Sequence, residues 1–228
     1  MYLINICYVM KLMIILLLTL ILMSSSIYAI KISTFNVQSG VGTTEGYWSY
    51  LLSFWKYFLP NSQKNIIKTA DFINSENIDI ITLTEVDGGS LRSDNINQVD
   101  LLSNLTHLNE RVFFATYKLA CVLNQGNAIL TKYPIIESKK YLLPGEGEPR
   151  YLGVALLKVE KRNITVLVTH LSLNKQNRAK QIEYIAGIVY NTTIPLMLSG
   201  DFNIDDESEL AILNNTGLKR IANCKTYP

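Results

Sequence analysis

The sequence has few cysteines and almost no net charge, and each shortage limits the functions it can have. Among 228 residues there are 3 cysteines, and no Cys-x-x-Cys pair or zinc-ligand spacing occurs. The 21 basic and 19 acidic residues leave a formal charge of +2, so the basic excess typical of sequence-independent duplex binders is missing. We find no repeat, linker or low-complexity tract. With 48% hydrophobic residues, the chain is expected to form one sizeable domain.

The N-terminal segment has the pattern of an export signal. Lys11 precedes an apolar run over residues 12–23, and small residues follow as far as Ala29. A basic residue, a short apolar region and a small-residue exit are typical of a secretory signal peptide. We therefore predict a signal peptide over residues 1–29.

Two alternatives to this interpretation stay open. Met10 is a more typical signal start than Met1. Residues 12–30 are also nearly long enough for an uncleaved anchor, because a bilayer span takes ~20 apolar residues. In either case residues 30–228 are expected to form a domain outside the cytoplasm, secreted or membrane-anchored.

Short apolar strands alternate with amphipathic helices along the rest of the chain. Helices are predicted over residues 64–76, 98–108, 174–190 and 206–213. Strands are predicted over residues 30–36, 78–85, 112–122, 127–132, 135–142, 151–159, 163–170 and 194–200. Because helices frame both ends while strands crowd the middle, we expect an α/β fold of two mixed sheets packed face to face with helices outside.

An aromatic segment over residues 47–59 holds both tryptophans. It is consistent with an amphipathic helix packed on the domain, with an aromatic wall beside a site, or with a membrane-interface contact.

Polar side chains stand at the ends of the predicted strands, where sheet proteins commonly form sites. They are Asn36, Glu85, Asn127, Arg150, His170, Asp201 and Asn203. Singly, each is explained by a cap, a turn or a surface charge. Together they supply a carboxylate for a hard cation, an arginine for a phosphoryl oxygen, a histidine for proton transfer and a carboxylate–carboxamide pair. His107 is outside this set, and we expect it to be exposed on a polar helix.

Six motifs occur in the order found in one superfamily. They are Thr34-Phe35-Asn36-Val37, Leu83-Thr84-Glu85-Val86-Asp87, Gly126-Asn127-Ala128-Ile129-Leu130, Gly147-Glu148-Pro149-Arg150, Thr169-His170-Leu171 and Gly200-Asp201-Phe202-Asn203. Through them the chain resembles the endonuclease/exonuclease/phosphatase superfamily, and within it the bacterial and archaeal metal-dependent hydrolases. The resemblance implies a four-layered α/β/β/α sandwich and a Mg2+-dependent phosphoesterase, with Mn2+ as the alternative ion.

The resemblance also assigns the metal and the attacking water to particular residues. Glu85 would be the main metal ligand, with Asn36 nearby. Asp201 would orient the water that attacks phosphorus.

The phosphate group would be held by the remaining motif residues. Asn203 would bind a phosphoryl oxygen, with support from Arg150 and Asn127. His170 would stabilise the transition state or act as a general acid.

The chain departs from the superfamily in two places. Thr84 stands where a glutamine is usual. Superfamily members also continue past the residues matching Thr226-Tyr227-Pro228 into a further strand and a Ser-Asp-His motif. The resemblance therefore implies a sheet without its last strands, in a fragment or a natural truncation.

From these features we expect an exported, monomeric phosphodiesterase or phosphatase acting on a small phosphate ester or a lipid headgroup, with nucleic acid left open. The alternative is a catalytically impaired remnant that binds a phosphorylated ligand or a membrane surface, through residues 12–30 or 47–59. Pairing of Cys121 with Cys224 is left open.

Overall fold

A computed structural model describes residues 10–11, 13–15, 29–38 and 63–221. The chain divides into two compact units, Met1–Ile30 and Lys31–Pro228. In the first unit, residues 10–11 and 13–15 are helical. Within the described residues, no helix has the length and apolar character needed to cross a membrane. The aromatic segment 47–59, Cys224 and most of the predicted signal lie outside the described residues.

The described part of the second unit contains eight strands and four α-helices. The strands are β1 (Ile32–Asn36), β2 (Ile80–Asp87), β3 (Glu110–Leu119), β4 (Leu123–Thr131), β5 (Ile135–Leu142), β6 (Tyr151–Val159), β7 (Arg162–His170) and β8 (Leu196–Asp201). The α-helices are α1 (Lys64–Glu76), α2 (Gln98–Leu105), α3 (Lys175–Tyr190) and α4 (Ala211–Asn214). Two 3-10 turns cover Leu91–Ser93 and Glu207–Leu210.

The strands form two four-stranded mixed sheets, with orders β1-β2-β4-β3 and β5-β6-β7-β8. Each sheet contains one parallel pair. In the first sheet α1 connects the parallel strands β1 and β2, and in the second α3 connects β7 and β8. The other neighbouring strands are antiparallel. The two sheets thus repeat one plan, a βαβ unit beside an antiparallel hairpin.

Helices cover the outer face of each sheet. In α1, Ile66, Ala70 and Ile73 recur at helical spacing and are fully or almost fully buried, so they face the first sheet. In α3, Ile182 and Ile185 pack in the same way against the second sheet. The inner faces of the two sheets meet where Phe114 of β3 packs on Gly153 of β6. A Cβ added to Gly153 would lie 2.3 Å from the Phe114 ring. This arrangement confirms the predicted α/β/β/α sandwich.

Several element boundaries differ from the prediction. Strands β2 and β4 cover Ile80–Asp87 and Leu123–Thr131, where 78–85 and 127–132 were predicted. The helix predicted to reach residue 108 ends at Leu105, where the Thr106 hydroxyl donates to the Leu102 carbonyl at 2.8 Å. The prediction that His107 lies on a helix was therefore wrong. Its exposed ring lies 2.8 Å from the Ile78 carbonyl oxygen.

The strand predicted over residues 112–122 is also shorter than expected. It ends at Leu119 because residues 120–122 form a turn, in which Ala120 has a φ of 45°. Cys121 lies in this turn and is exposed. The predicted helix 206–213 is a 3-10 turn followed by the short α4, and the Asp206 side chain caps the turn.

An ion pair fixes the connection that follows β7. Arg178 on α3 is 7% exposed and donates through Nε and Nη2 to the two carboxylate oxygens of Glu209, at 3.0 and 2.9 Å. Its Nη1 donates to the carbonyls of Ser172 and Leu173 at 3.2 and 2.7 Å. The hydrogen bonds from Arg178 lower the pKa of Glu209 below its ordinary value of 4.5. Arg178 therefore joins the helix, the 3-10 turn and the loop that leaves β7.

We predict that Glu209→Gln destabilises the protein at pH 7 by about 1.5–3 kcal/mol, the usual range for a hydrogen bond to a charged group. A lowered carboxyl pKa stabilises the fold above the unfolded-state pKa, and this contribution is lost as pH falls through the folded-state pKa. The difference from wild type should therefore shrink below pH 4.5. Urea unfolding of wild type and of Glu209→Gln, at pH values from 7 to below 4.5, measures this difference in the free energy of unfolding.

The matched control is Glu207→Gln, because the Glu207 side chain is 76% exposed and pairs with Arg220 at the surface. Its effect should stay within about 0.5 kcal/mol. An equal loss in both variants, or a penalty for Glu209→Gln that does not depend on pH, would contradict the role given to the Arg178–Glu209 pair.

Candidate active site

The carboxyl ends of the two parallel pairs lie at the same end of the sandwich. Asn36 is the last residue of β1, and Glu85 lies near the end of β2. His170 and Asp201 end β7 and β8 and are partners in the parallel register. Because ligand sites in such sheets form beyond the carboxyl ends of parallel strands, this edge is the candidate site.

One amide group joins carboxylates from both sheets. Asn36 Nδ2 donates to Glu85 Oε1 at 2.9 Å and to Asp201 Oδ2 at 3.0 Å. The Asn36 oxygen accepts from the backbone N–H of Gln38 at 3.0 Å, which sets the orientation of the amide. His170 Nε2 lies 3.9 Å from the same two carboxylate oxygens. Four of the predicted site residues therefore meet around one point.

Glu85 reaches this point because β2 contains a bulge. The register with β4 passes from Leu83 opposite Ala128 to Val86 opposite Gly126, so two residues of β2 face one residue of β4. Glu85 has a φ of 55°, a left-handed conformation that costs about 1–2 kcal/mol for a residue with a Cβ. The bulge changes the alternation of the strand. Leu83 and Val86 both remain in the core, while Glu85 turns towards Asn36.

Asp201 is positioned by a glycine and a turn. Gly200 has a φ of 131°, and a Cβ added there would lie 1.9 Å from the Thr169 carbonyl oxygen, so only glycine fits. Asp201 Oδ1 accepts from the backbone N–H of Asn203 at 3.0 Å. Asn203 Nδ2 donates to the Leu171 carbonyl at 2.7 Å. The Asp-x-Asn motif is therefore both a turn and part of the candidate site.

His170 is 8% exposed, and burial is the main cause that lowers its pKa from 6.5. The positive charge of Arg150 lowers this pKa further, while the carboxylates of Glu85 and Asp201 raise it. The net shift is downward, so the imidazole is neutral at pH 7. A neutral ring can donate one hydrogen bond and accept another.

Two further predicted residues contribute buried donors. The Arg150 side chain is 11% exposed and contacts Glu148 Oε2 at 3.1 Å through Nη2. Its Nε is buried without a hydrogen-bond partner in the described residues. Asn127 lies in the middle of β4, not at the start of a strand as predicted, because the strand begins at Leu123. It is 1% exposed, and its Nδ2 is buried and likewise unpartnered within the part of the chain that the structure describes. Buried donors without partners are uncommon in folded proteins and suit an added acceptor such as a phosphoryl oxygen. The individual roles of these residues stay predictions.

The donor set suits a hard cation with few protein ligands. No cluster of three or more His, Cys, Asp or Glu side chains is placed to hold a metal in the described residues. Magnesium, however, keeps several waters and uses one or two carboxylates. Glu85 and Asp201 fit that requirement, since both carboxylates lie within 3.0 Å of one nitrogen. Ligation by the Asn36 oxygen would require the amide to turn, because its nitrogen faces the two carboxylates.

A hydroxyl pair behind the site was not found from the sequence. Thr82 Oγ1 and Ser199 Oγ lie 2.8 Å apart and join β2 to β8 across the sandwich. Ser199 Oγ also donates to the Leu167 carbonyl at 3.3 Å. The pair lies three residues before Glu85 and two before Asp201, so it helps to set the distance between the two carboxylates. The signal in the sequence is a polar residue within each apolar strand, on the side that faces the other sheet.

Comparison with known proteins identifies the family. The family model described as "PGAP2IP, C-terminal nuclease-like domain" matches residues 44–221, more than half of the chain. None of the curated proteins matches the sequence.

Solved structures share the fold. An endonuclease/exonuclease/phosphatase from Beutenbergia cavernae is 17% identical, with a TM-score of 0.58 over 77% of this chain and 47% of that one. A mannosyl-6-phosphatase from Bacteroides thetaiotaomicron is 14% identical, with a TM-score of 0.59 over 83% and 71%. TDP2 of D. rerio, complexed with a single strand DNA product, is 16% identical, with a TM-score of 0.55 over 82% and 64%. The chain thus spans less than half of the Beutenbergia protein, and these identities show the fold alone.

We predict that Ser199→Ala destabilises the protein more than Thr82→Val. The alanine variant leaves the fully buried Thr82 hydroxyl without its partner, at a cost of about 1–3 kcal/mol. The valine variant leaves Ser199 its bond to the Leu167 carbonyl, so its cost should be smaller. Chemical denaturation of both single variants and the double variant measures the coupling. Additive losses would show that the two hydroxyls do not interact.

Proposed function

Since the chain belongs to the PGAP2IP C-terminal nuclease-like family and to the endonuclease/exonuclease/phosphatase superfamily, we propose that it is a hydrolase of phosphate esters that uses a divalent cation, Mg2+ or Mn2+. One observation carries the proposal. Carboxylates from two different sheets, Glu85 and Asp201, share the Asn36 amide, beside a neutral histidine. Two carboxylates this close favour a cation, and the donors around them favour a phosphoryl group.

The proposed reaction is in-line attack of water on phosphorus. Glu85 would hold the cation, which would supply positive charge to the phosphoryl oxygens. Asp201 accepts a hydrogen bond from the water and orients it. The buried donors of Asn127 and Arg150 bind phosphoryl oxygens, and the proposal gives the same role to the second N–H of the Asn203 amide. The neutral ring of His170 donates a hydrogen bond to the phosphoryl group. To act as a general acid it would first take up the proton that the attacking water releases and then pass that proton to the departing alcohol.

The proposal includes export of the domain, which rests on the sequence pattern over residues 1–29. A monomer that acts on a phosphate ester outside the cytoplasm is the simplest assembly, with membrane contact through residues 12–30 or 47–59. The mature N-terminus, determined by mass spectrometry of the expressed protein, distinguishes a cleaved signal from an anchor.

Hydrolysis of bis-p-nitrophenyl phosphate and p-nitrophenyl phosphate tests the proposed activity. Turnover should require Mg2+ or Mn2+ and should stop in EDTA. Glu85→Gln keeps the size of the side chain but removes its charge, so kcat should fall on the order of a hundredfold or more. The control is Glu110→Gln, which changes an exposed glutamate at the start of β3.

Turnover in EDTA, or turnover unchanged by Glu85→Gln, would contradict the proposed role of the cation. Cation binding without turnover would favour the alternative, a domain that binds a phosphorylated ligand without hydrolysing it.

Asn36→Asp tests the cation site without an activity assay. The variant replaces the shared donor by a third carboxylate, so in EDTA at pH 7 it should lose about 1–3 kcal/mol of stability. Added Mg2+ or Mn2+ should raise the Tm of this variant more than that of wild type, because bound cation replaces the lost donor. Differential scanning calorimetry measures both effects.

Asn104→Asp is the control for added charge, since Asn104 is exposed on α2. If divalent cations raise the Tm of Asn36→Asp no more than that of Asn104→Asp, the carboxylate cluster is not the cation site.

A further inference from the structure

An ion pair lies at the start of β6, beside the candidate site. Glu148 Oε2 accepts from Arg150 Nη2 at 3.1 Å. The two side chains differ in exposure, since that of Arg150 is 11% exposed and that of Glu148 is 48% exposed. The guanidinium is therefore enclosed by the domain, while the carboxylate reaches into solvent. A charged ligand that binds Arg150 comes close to the Glu148 carboxylate.

The loop that carries Glu148 is held in place by hydrogen bonds. The Leu143 N–H donates to the Arg150 carbonyl at 2.8 Å, which closes the loop at its base. The Asn177 side chain on α3 then binds both backbone groups of Glu146. Its Nδ2 donates to the Glu146 carbonyl at 2.9 Å, and its Oδ1 accepts from the Glu146 N–H at 3.3 Å. The position of the Glu148 carboxylate beside the guanidinium is therefore set by the fold.

Both charges of the Glu148–Arg150 pair act on the candidate site. The two side chains line one groove, between the loop that precedes β6 and the first turns of α3. Burial is the main cause that lowers the pKa of His170. The charge of Arg150 lowers this pKa further, and the charge of Glu148 raises it. A phosphoryl group beside His170 therefore interacts with both charges.

Glu148 leaves Arg150 able to bind a phosphoryl group but lowers the positive potential around it. A guanidinium has five N–H groups in a fixed fork, and Glu148 accepts from one of its nitrogens, so the others can donate to phosphoryl oxygens. The repulsion between the Glu148 carboxylate and a phosphoryl group is proportional to the charge of that group. A phosphodiester carries one negative charge and an ionised monoester about two, so the monoester is repelled about twice as strongly.

We propose, as an extension that rests on the phosphoesterase function, that Glu148 is a specificity-determining residue that disfavours doubly charged phosphate monoesters relative to singly charged phosphodiesters. Its carboxylate acts through its charge, at a position that the loop fixes beside Arg150. A partly exposed ion pair contributes little to stability. A change at Glu148 can therefore alter selectivity while it leaves the fold intact.

The test measures kcat/KM at pH 8 for p-nitrophenyl phosphate, a monoester, and bis-p-nitrophenyl phosphate, a diester. Glu148→Gln keeps the size of the side chain and removes its charge. Since the interaction free energy is twice as large for the monoester, the factor gained by the monoester is the square of the factor gained by the diester. We expect kcat/KM to rise about threefold for the diester and about tenfold for the monoester, as for a partly exposed charge pair. The ratio of monoester to diester should therefore rise about threefold.

Two further variants isolate the effect of charge at this position. Glu148→Asp keeps a carboxylate on the loop, so its ratio should stay close to that of wild type. Glu137→Gln is the matched control, because Glu137 on the exposed strand β5 also forms an ion pair with a residue two positions away, Lys139, at 2.7 Å. This variant changes the net charge by the same amount and should leave the ratio unchanged.

A higher ratio in Glu148→Gln, with unchanged ratios in both other variants, supports the proposal. Equal factors for the two esters overturn it, because they would show that Glu148 only positions Arg150. A similar rise in Glu137→Gln overturns it as well. If wild type hydrolyses the diester alone, monoester turnover gained by Glu148→Gln supports the proposal, and its continued absence overturns it. Hydrolysis of the monoester alone by wild type also overturns it.

If neither ester is hydrolysed, the phosphoesterase proposal fails, and binding decides the role of Glu148. Inorganic phosphate and dimethyl phosphate, which carry about two and one negative charges at pH 8, are titrated into wild type and Glu148→Gln and followed by phosphorus NMR. A larger gain in affinity for inorganic phosphate than for dimethyl phosphate in the variant supports the proposal. Equal gains, or no binding of either ion, overturn it.

Discussion

The structure of the candidate site depends on the hydrogen bonds that the Asn36 amide donates to Glu85 and Asp201. The two carboxylates belong to different sheets, so their separation is set by how the sheets stack. Without a shared donor or a cation, two carboxylates this close would repel each other. The short separation that makes the two carboxylates repel each other also makes them suitable to bind a cation.

Several features of the fold support this pair from a distance. The bulge in β2 brings Glu85 to the edge at the cost of a left-handed φ, and the Thr82–Ser199 hydroxyl bond joins the strands behind it. A second support follows the bulge. Arg92 and Asp87, both 0% exposed, form a buried ion pair at 2.9 Å, and the hydroxyls of Ser90 and Ser93 also bond to Asp87. The backbone beyond Glu85 is therefore held on both sides.

The sequence predicted the parts of the fold that depend on periodicity. Helix α1 and strands β5 and β6 agree with the prediction at both ends, although β5 is exposed along most of its length. Boundaries set by single side chains, such as the Thr106 hydroxyl, gave no periodic signal. Order along the chain also placed Asn36, His170 and Asp201 at strand ends, but it was wrong for Asn127, which lies in the middle of β4. The Thr82–Ser199 contact depends on the stacking of two sheets and could not be read from either strand alone.

The close contact between Phe114 of β3 and Gly153 of β6 sets how one sheet lies on the other, and therefore affects the candidate site. A strand that slid by one residue would move about 3.3 Å, more than the length of the bonds that the Asn36 amide makes. The Phe114 ring, which packs closely on Gly153, opposes such sliding. Substitution of Gly153 should therefore be poorly tolerated, because a side chain there would displace one sheet from the other, although Gly153 is not one of the candidate site residues.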